Sequence, residues 1–178
     1  MADNSNRAYL DYLYEYGKTL TKLHSLPGSF PEVKDRKFFH IPDKDYFSEL
    51  ELEFVYEFLI LNKPKRINKC FCHGDFHYAN ILWFDKHISA ILDFELSGWG
   101  NKEFDIAWAL IRRPGQKLLD TDEEISLFMD GYKLEGSCNW YYVKYYMILI
   151  YSYFYKIGNT DVKYKSYIKN VLLDYCKK

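Results

Sequence analysis

The sequence predicts an α+β fold that is mostly α-helical, in a single domain over residues 1–178, with a small β-hairpin near its middle. Two observations carry this prediction. Apolar residues recur at three- and four-residue spacing before Pro64 and again after about Glu103, which is typical of amphipathic helices. Between these regions, short apolar runs are separated by turn residues, as in β-strands. A length of 178 residues suits one domain with a hydrophobic core and is short for two.

Two helices are predicted before Pro64, each from its own apolar stripe. The first should end near the Pro27-Gly28 breaker, and the second stops before Pro64. Residues 28–44 contain further prolines and little periodicity, so we interpret them as a connecting loop. The two stripes are Tyr9, Leu13, Tyr16, Leu20 and Leu23, then Phe47, Leu50, Phe54, Phe58 and Leu61.

The period changes in the middle of the chain. Residues 70–72 form a short apolar strand, and residues 81–84 and 88–92 are predicted to pair as a hairpin about an Asp85-Lys86 turn. The segment HGDFHYAN, residues 73–80, precedes the hairpin and is too polar for a core element. Loops that a rigid hairpin holds in place are common positions for catalytic groups.

The remainder of the chain is predicted to be helical. Residues 104–111 place four apolar side chains on one face, and Pro114-Gly115 ends that helix. Thr121 and Glu124 form a capping box that opens the next helix. Two more helices are expected over residues 138–157 and about 161–176.

Composition excludes several classes of function. With 48% apolar and 28% charged residues the chain is expected to fold rather than remain disordered. A net charge of -1 without a long basic run argues against nucleic acid binding. No apolar stretch reaches the roughly 20 residues of a membrane helix, and the N-terminus lacks a signal-peptide layout. The four cysteines include no CxxC pair for zinc, so we expect a cytoplasmic protein with reduced thiols.

Three polar side chains are expected to converge at one edge of the hairpin. Asp75 follows a glycine in the loop, Asn80 immediately precedes the first strand and Asp93 immediately follows the second. A hairpin brings the start of its first strand beside the end of its second. Asn80 and Asp93 offer the hard oxygen ligands that suit Mg²⁺, and Asp75 can accept a proton from a hydroxyl nucleophile. Phosphoryl transfer requires this division between a metal and a base.

The segments HGDFHYANILW, AILDFELSGWG and FDIAWAL, with the earlier YGKTLTKLHSLPG, resemble the aminoglycoside phosphotransferase and choline kinase superfamily, relatives of the protein kinases. The resemblance implies the C-terminal lobe of a protein-kinase-like fold and an ATP- and Mg²⁺-dependent transfer of phosphate to a small-molecule hydroxyl. It implies Asp75 as the catalytic base, with Asn80 and Asp93 as ligands of the metal and thereby of the cofactor ATP.

The same resemblance gives two further residues a supporting role. His73 would be a buried residue that braces the loop, and Asp105 would tie the start of the following helix back to that loop. For Asp105 a second interpretation stays open, because an acidic residue in the first turn of a helix is favoured by the helix macrodipole alone.

The smaller N-terminal lobe of the superfamily, with its phosphate-covering loop and its lysine, has no counterpart in the sequence. The closest glycine cluster, Gly98-Trp-Gly100, lies after Asp93. We therefore expect a C-terminal lobe alone, with weak or absent kinase activity by itself. Truncation, a partner chain that supplies the missing lobe, and loss of catalysis are open explanations. Apolar surface left uncovered by such a loss also favours a homo-oligomer.

Two other functions and the choice of substrate remain open. His73, Asp75 and His77 form HxDxH, which resembles the ligand clusters of metal-dependent hydrolases. A non-catalytic kinase-like module that binds a partner or a small molecule is the other alternative. Acidic residues in 120–124 would attract an aminoglycoside, whereas the aromatic residues near the start of the 138–157 helix would either cage choline or join the core. These are Trp140, Tyr141, Tyr145 and Tyr146.

Overall fold

A computed structural model of the chain describes residues 4–28, 32–36, 40–65, 69–114, 119, 121–133, 138–157 and 161–176. Within them the protein is mostly helical with two small antiparallel sheets, which confirms the predicted class. The helices are α1 (Asn4–His24), α2 (Lys44–Glu49), α3 (Glu53–Leu61), α4 (Lys102–Leu110), α5 (Asp122–Gly131), α6 (Trp140–Ile157) and α7 (Val162–Cys176). The strands are β1 (Lys69–Cys72), β2 (Ile81–Phe84), β3 (His87–Ile91) and β4 (Gly98–Asn101).

Helix α1 packs against α5 so closely that their backbones touch. A Cβ atom added to Gly17 would lie 1.9 Å from the Phe128 carbonyl oxygen, and one added to Gly131 would lie 2.0 Å from the Tyr14 carbonyl oxygen. The predicted stripe of α1 is buried against this helix and the core, apart from Tyr9, whose side chain lies outside the described residues. Its buried members are Leu13, Tyr16, Leu20 and Leu23.

The predicted second helix is divided into two. Of its predicted apolar stripe, Phe47 is buried and Leu50, Phe54 and Phe58 are partly buried against the core, whereas Leu61 is not. Helix α2 ends at Glu49 and α3 begins at Glu53, because Glu51 takes a left-handed conformation with φ of 58°. This break changes the helical phase, so Val55 and Leu59 face the core while Leu61 is 80% exposed. A periodic sequence pattern does not show such a change of phase.

The central hairpin is confirmed, and a second sheet lies beside it. Strands β2 and β3 pair with Ile81 opposite Ile91, and the turn residues Asp85 and Lys86 both have positive φ angles. Two successive positive φ angles are typical of the type I′ turn that matches hairpin twist. Strand β1 pairs with β4, so the Gly98-Trp-Gly100 cluster is a strand, which the sequence did not predict.

The four later helices supply much of the core, together with α1 and α3. Helix α4 is almost entirely buried and packs on α6, while Asn101 caps its first turn by accepting from the Glu103 N–H. The capping box of Thr121 and Glu124 opens α5 as predicted. Helix α4 ends at Leu110, before the predicted stop at Pro114-Gly115. Gly115 itself lies outside the described residues.

Among the described helices, none combines the length and the apolar character that crossing a membrane requires.

Replacing Gly17 by alanine should destabilise the protein. The new methyl group would overlap the Phe128 carbonyl oxygen, so α1 and α5 must separate, and overpacking of this kind costs about 1–3 kcal/mol. Gly28→Ala is the control, because its Cβ would make only ordinary contact with Trp99 at 3.8 Å. Urea unfolding followed by tryptophan fluorescence measures both variants. Equal midpoints for the two variants would contradict the close helix contact.

Candidate active site

The carboxylate of Asp105 anchors the loop that follows β1. Asp105 lies in the first turn of α4 and is fully buried. Its Oδ2 accepts a hydrogen bond of 2.6 Å from the His73 backbone N–H, and its Oδ1 accepts one of 2.8 Å from the Gly74 N–H. Helix α4 is capped by Asn101, so the Asp105 carboxylate is directed at the loop rather than at its own helix terminus.

His24, the last residue of α1, joins the same carboxylate to α5. Its Nε2 lies 3.3 Å from Asp105 Oδ2, and its Nδ1 lies 2.7 Å from the Tyr132 hydroxyl oxygen. A carboxylate only accepts, so Nε2 carries the proton and Nδ1 accepts from the tyrosine O–H. The ring is therefore held in one tautomer between two elements that are distant in sequence.

His73 braces the loop against the end of the hairpin. Its Nε2–H donates to the Leu92 carbonyl oxygen at 2.9 Å, and its Nδ1 accepts from the Asp75 backbone N–H at 3.2 Å. The ring is fully buried and lies 4.6 Å from the Phe94 ring. Both ring nitrogens are engaged within the loop. A metal on His73 Nδ1 would have to displace the Asp75 backbone N–H, which cannot rotate away as a side-chain hydroxyl can, and this argues against the hydrolase cluster with Asp75 and His77.

Asp75 is half-buried and is surrounded by hydrogen-bond donors. The Trp108 indole N–H donates to Oδ1 at 2.7 Å, and the Asn80 side-chain amide donates to Oδ2 at 3.1 Å. His77 Nε2 lies 3.5 Å from Oδ2. Burial raises the pKa of Asp75, but the hydrogen bond and charge of His77, with the Trp108 and Asn80 donors, outweigh burial and leave this pKa below its ordinary value. Asp75 is therefore ionised at neutral pH.

Asn80 and Asp93 lie at the same end of the hairpin. The Leu92 N–H donates to the Asn80 carbonyl oxygen at 2.8 Å, which places the residue preceding Asp93 against Asn80. The Asn80 side-chain NH₂ donates to the Asp75 backbone oxygen and to its carboxylate, and within the described part of the chain no donor contacts Asn80 Oδ1. Asp93 is exposed and left-handed, with φ of 62°. The sequence prediction that Asp75, Asn80 and Asp93 lie at one edge agrees with this arrangement.

Trp108 and Arg113 belong to the site, although the sequence analysis gave them no role there. Arg113 donates to the Trp108 carbonyl oxygen at 2.9 Å, and its guanidinium lies 5.0 Å from the centre of the indole ring. Burial lowers the pKa of Arg113, whereas the nearby Tyr16 and Asp75 raise it. The sequence did contain an indication of this role for Trp108. It follows Asp105 by three residues on the same helix, which places the two side chains next to each other.

The residues considered for substrate binding do not form one aromatic cage. Tyr145 is buried, whereas Trp140 and Tyr141 are exposed. Among the acidic residues, Asp120 lies outside the described part, and Glu124 accepts within the capping box. Of the aromatic residues, Tyr146 is half-buried. Of the acidic residues, Asp122 and Glu123 lie in the first turn of α5.

The Trp108→Phe substitution should raise the pKa of Asp75, because it removes the shortest hydrogen bond to the carboxylate. In the wild-type protein this pKa is lowered, so the stability that the ionised group contributes is present above its unfolded-state pKa and is lost as pH falls through the folded-state pKa. In the variant that loss should begin at higher pH. A pH titration of the carboxyl carbon by NMR measures the shift. Trp83→Phe on β2 is the control, and equal midpoints for Trp108→Phe and wild type would refute the assignment.

Three solved or curated relatives resemble the chain. It is 30% identical to an aminoglycoside 3'-phosphotransferase from Enterococcus faecalis over 95 residues, which is 53% of this chain and 34% of that protein. The crystal structure of an aminoglycoside-3'-phosphotransferase of type VIII matches 82% of this chain and 61% of its own, with a TM-score of 0.63 and 16% identity. The amicoumacin kinase hAmiN, in complex with AMP-PNP, Ca²⁺ and Ami, matches 96% of this chain and 58% of its own, with a TM-score of 0.52 and 18% identity.

These likenesses confirm the predicted kinase-like fold, and they also show that the chain spans only part of its relatives. Its match covers about a third of the curated relative and about three fifths of the two solved chains. The model of the phosphotransferase enzyme family (APH) matches residues 2–133, well over half of the sequence. With the anchored HGD loop and the Asp93 hairpin end in place, the chain belongs to the phosphotransferase enzyme family.

Proposed function

We propose that this chain carries the catalytic loop for an ATP- and Mg²⁺-dependent transfer of a phosphoryl group to a hydroxyl of a small molecule. One observation carries the proposal. The ionised carboxylate of Asp75 shares an edge of the hairpin with two residues whose side chains carry oxygen atoms, Asn80 and Asp93. Family membership supports a phosphotransferase, and the names of the relatives support an aminoglycoside or a similar hydroxyl compound as acceptor.

Asp75 would orient the acceptor hydroxyl. A carboxylate has about four lone-pair sites, and three donors of this chain surround it, which leaves an acceptor for the O–H of a substrate. Because its pKa is lowered, Asp75 is a weak base, so its main contribution is to position the attacking oxygen. The hydroxyl proton would move to the carboxylate as the new O–P bond forms and the bond from the γ-phosphorus to the β,γ-bridging oxygen breaks, with ADP as the leaving group. Trp108 keeps the carboxylate in one orientation throughout.

Asn80 and Asp93 would hold the metal. Mg²⁺ takes one or two protein oxygens and fills the rest of its coordination shell with water and phosphate oxygens. The amide group of Asn80 fits this requirement, because its NH₂ is held by Asp75 and its Oδ1 is left to accept. When bound, the ion supplies the positive charge that neutralises the transferring phosphates. The complex of the amicoumacin kinase with AMP-PNP and Ca²⁺ supports a nucleotide and a divalent cation here.

Turnover by this chain alone is proposed to be weak. Phosphoryl transfer also needs cationic groups over the triphosphate, and the sequence has no counterpart of the loop and lysine that clamp ATP in the superfamily. The longer relatives have room for such a lobe, since the matches cover only part of them. The groups that complete the clamp would then come from outside these 178 residues, whether from a longer form of the chain, a partner chain or a homo-oligomer.

The Asp75→Asn substitution should abolish whatever transfer the protein performs. Without a carboxylate to orient the hydroxyl and to take its proton, the rate should fall at least about 100-fold. The measurement is the transfer of γ-labelled phosphate from ATP to a panel of aminoglycosides. Asp130→Asn, an exposed aspartate on α5, is the matched control and should keep the wild-type rate. Transfer that survives Asp75→Asn would refute the role of Asp75, and rapid turnover by the wild-type chain would refute the proposed weakness.

The metal ligands can be tested without turnover. Paramagnetic Mn²⁺ should broaden the NMR signals of Asn80 and Asp93, more strongly when AMP-PNP is present. Asp93→Asn should reduce this effect, whereas the neighbouring Glu95→Gln should not. Broadening centred on another acidic group would contradict the proposed ligands. Nucleotide-dependent broadening without any phosphate transfer would indicate a non-catalytic binding module.

A further inference from the structure

Three side chains of types that bind metals in proteins, His24, Cys70 and Cys72, lie close together, apart from the residues proposed to hold Mg²⁺. His24 ends α1, and Cys70 and Cys72 lie two positions apart on β1, so their side chains share one face of the strand. One ligand atom from each residue lies within 4.8 Å of the other two. His24 and Cys72 are buried, Cys70 is half-buried, and both thiols are free. The cluster contains the residue types that bind zinc in proteins.

The separation of the two sulfur atoms matches a shared tetrahedral ion. Cys70 Sγ and Cys72 Sγ are 3.7 Å apart. Two thiolates on a tetrahedral Zn²⁺, each at about 2.3 Å from the metal, are about 3.8 Å apart. A disulfide would instead need the sulfur atoms at about 2.05 Å, which the strand backbone would have to distort to permit. The strand thus presents both thiols at the spacing that a metal requires.

The third ligand, His24, already has the support that metal-binding histidines usually have. Such a histidine generally donates its second ring N–H to a carboxylate or a carbonyl group, which fixes the ring and its tautomer. His24 Nε2–H donates to Asp105 Oδ2, so Nδ1 holds the lone pair. That lone pair now accepts from the Tyr132 hydroxyl, a bond that an ion on Nδ1 would replace.

We propose that His24, Cys70 and Cys72 bind a thiophilic metal ion, for which Zn²⁺ is the probe, with water as the fourth ligand. Binding breaks two S–H bonds, forms two Zn–S bonds and one Zn–N bond, and releases two protons to solvent, so the site carries no net charge. The half-buried Cys70 provides the approach. Its partner across the sheet is Gly100, which has no side chain to fill the space beside the thiol.

The site would couple metal binding to the geometry of the catalytic loop. The carboxylate that holds His24 is the one that accepts from the N–H groups of His73 and Gly74. A metal on His24 fixes the imidazole against Asp105 and so stabilises the loop without touching Asp75. Sequence spacing did not predict this site, because His24 lies on a different element from the two cysteines and no CxxC pair is present.

Zinc retention by the full 178-residue chain tests the proposal. The reduced, metal-free protein is titrated with Zn²⁺ in competition with a chromophoric chelator, and with Co²⁺ to record thiolate-to-cobalt charge-transfer absorption. We expect one tightly held equivalent, the charge-transfer band, and a melting temperature that zinc raises by several degrees. Cys70→Ser and Cys72→Ser should each weaken zinc binding at least 100-fold and remove the thermal shift.

Three controls locate the metal. Cys176→Ser at the end of α7 and His87→Ala on the hairpin should retain zinc as the wild type does. His77→Ala should also retain it, because His77 belongs to the catalytic loop and not to the cluster. Circular dichroism verifies that each variant folds, and Cys70→Ser is the decisive variant because that residue is half-buried. Absence of tight zinc in the wild type, full retention in Cys70→Ser, or loss in His77→Ala would each overturn the proposal.

Discussion

The buried carboxylate of Asp105 accepts hydrogen bonds from two consecutive backbone N–H groups of the loop over residues 73–80, those of His73 and Gly74. Buried N–H groups without a partner cost about 1–3 kcal/mol each, and the loop has no regular sheet or helix to supply partners here. Gly74 has a φ of 84°, a left-handed backbone conformation that glycine adopts without a steric penalty. The shape of the loop therefore depends on a side chain from a different element, and the position of Asp75 depends on that shape.

From Asp105 the hydrogen bonds extend in two directions. Through His24 they reach Tyr132 at the end of α5, and through His73 they reach the Leu92 carbonyl group at the end of β3. Each histidine is fixed in one tautomer, so the network has a defined direction of donation at every step. One connected set of bonds thus positions both the loop with Asp75 and the hairpin end with Asp93. Networks of this kind are rigid when every member is satisfied.

The sequence predicted those features that depend on neighbouring residues. Residues close together in the sequence determine three such features: the turn at Asp85 and Lys86, the capping box of Thr121 and Glu124, and the apolar stripe of α1. The convergence of Asn80 and Asp93 also followed, because hairpin topology alone brings the two ends together.

The features that the sequence did not predict depend on contacts between distant segments. The left-handed Glu51 that divides α2 from α3 is one residue in an apolar pattern that continues on both sides. Strands β1 and β4 pair although the whole β2–β3 hairpin lies between them in the sequence. Strand β4 contains two glycines, which are unfavourable in strands, so its sequence does not indicate a strand. Trp108 contacts Asp75, and His24 contacts Asp105, only when α1, α4 and the loop after β1 have packed together. No local pattern encodes such partners.

The contact between α1 and α5 has a consequence for synthesis of the chain on the ribosome. His24 and its partner Tyr132 are 108 residues apart, and Gly17 meets the backbone of a helix that is translated much later. At translation speeds of about 5–20 residues per second, the apolar face of the first helix emerges several seconds before its covering helix. During that interval this apolar face is open to chaperones and to other nascent chains. The hydrogen-bond network of the loop over residues 73–80 cannot be complete until Tyr132 has been translated.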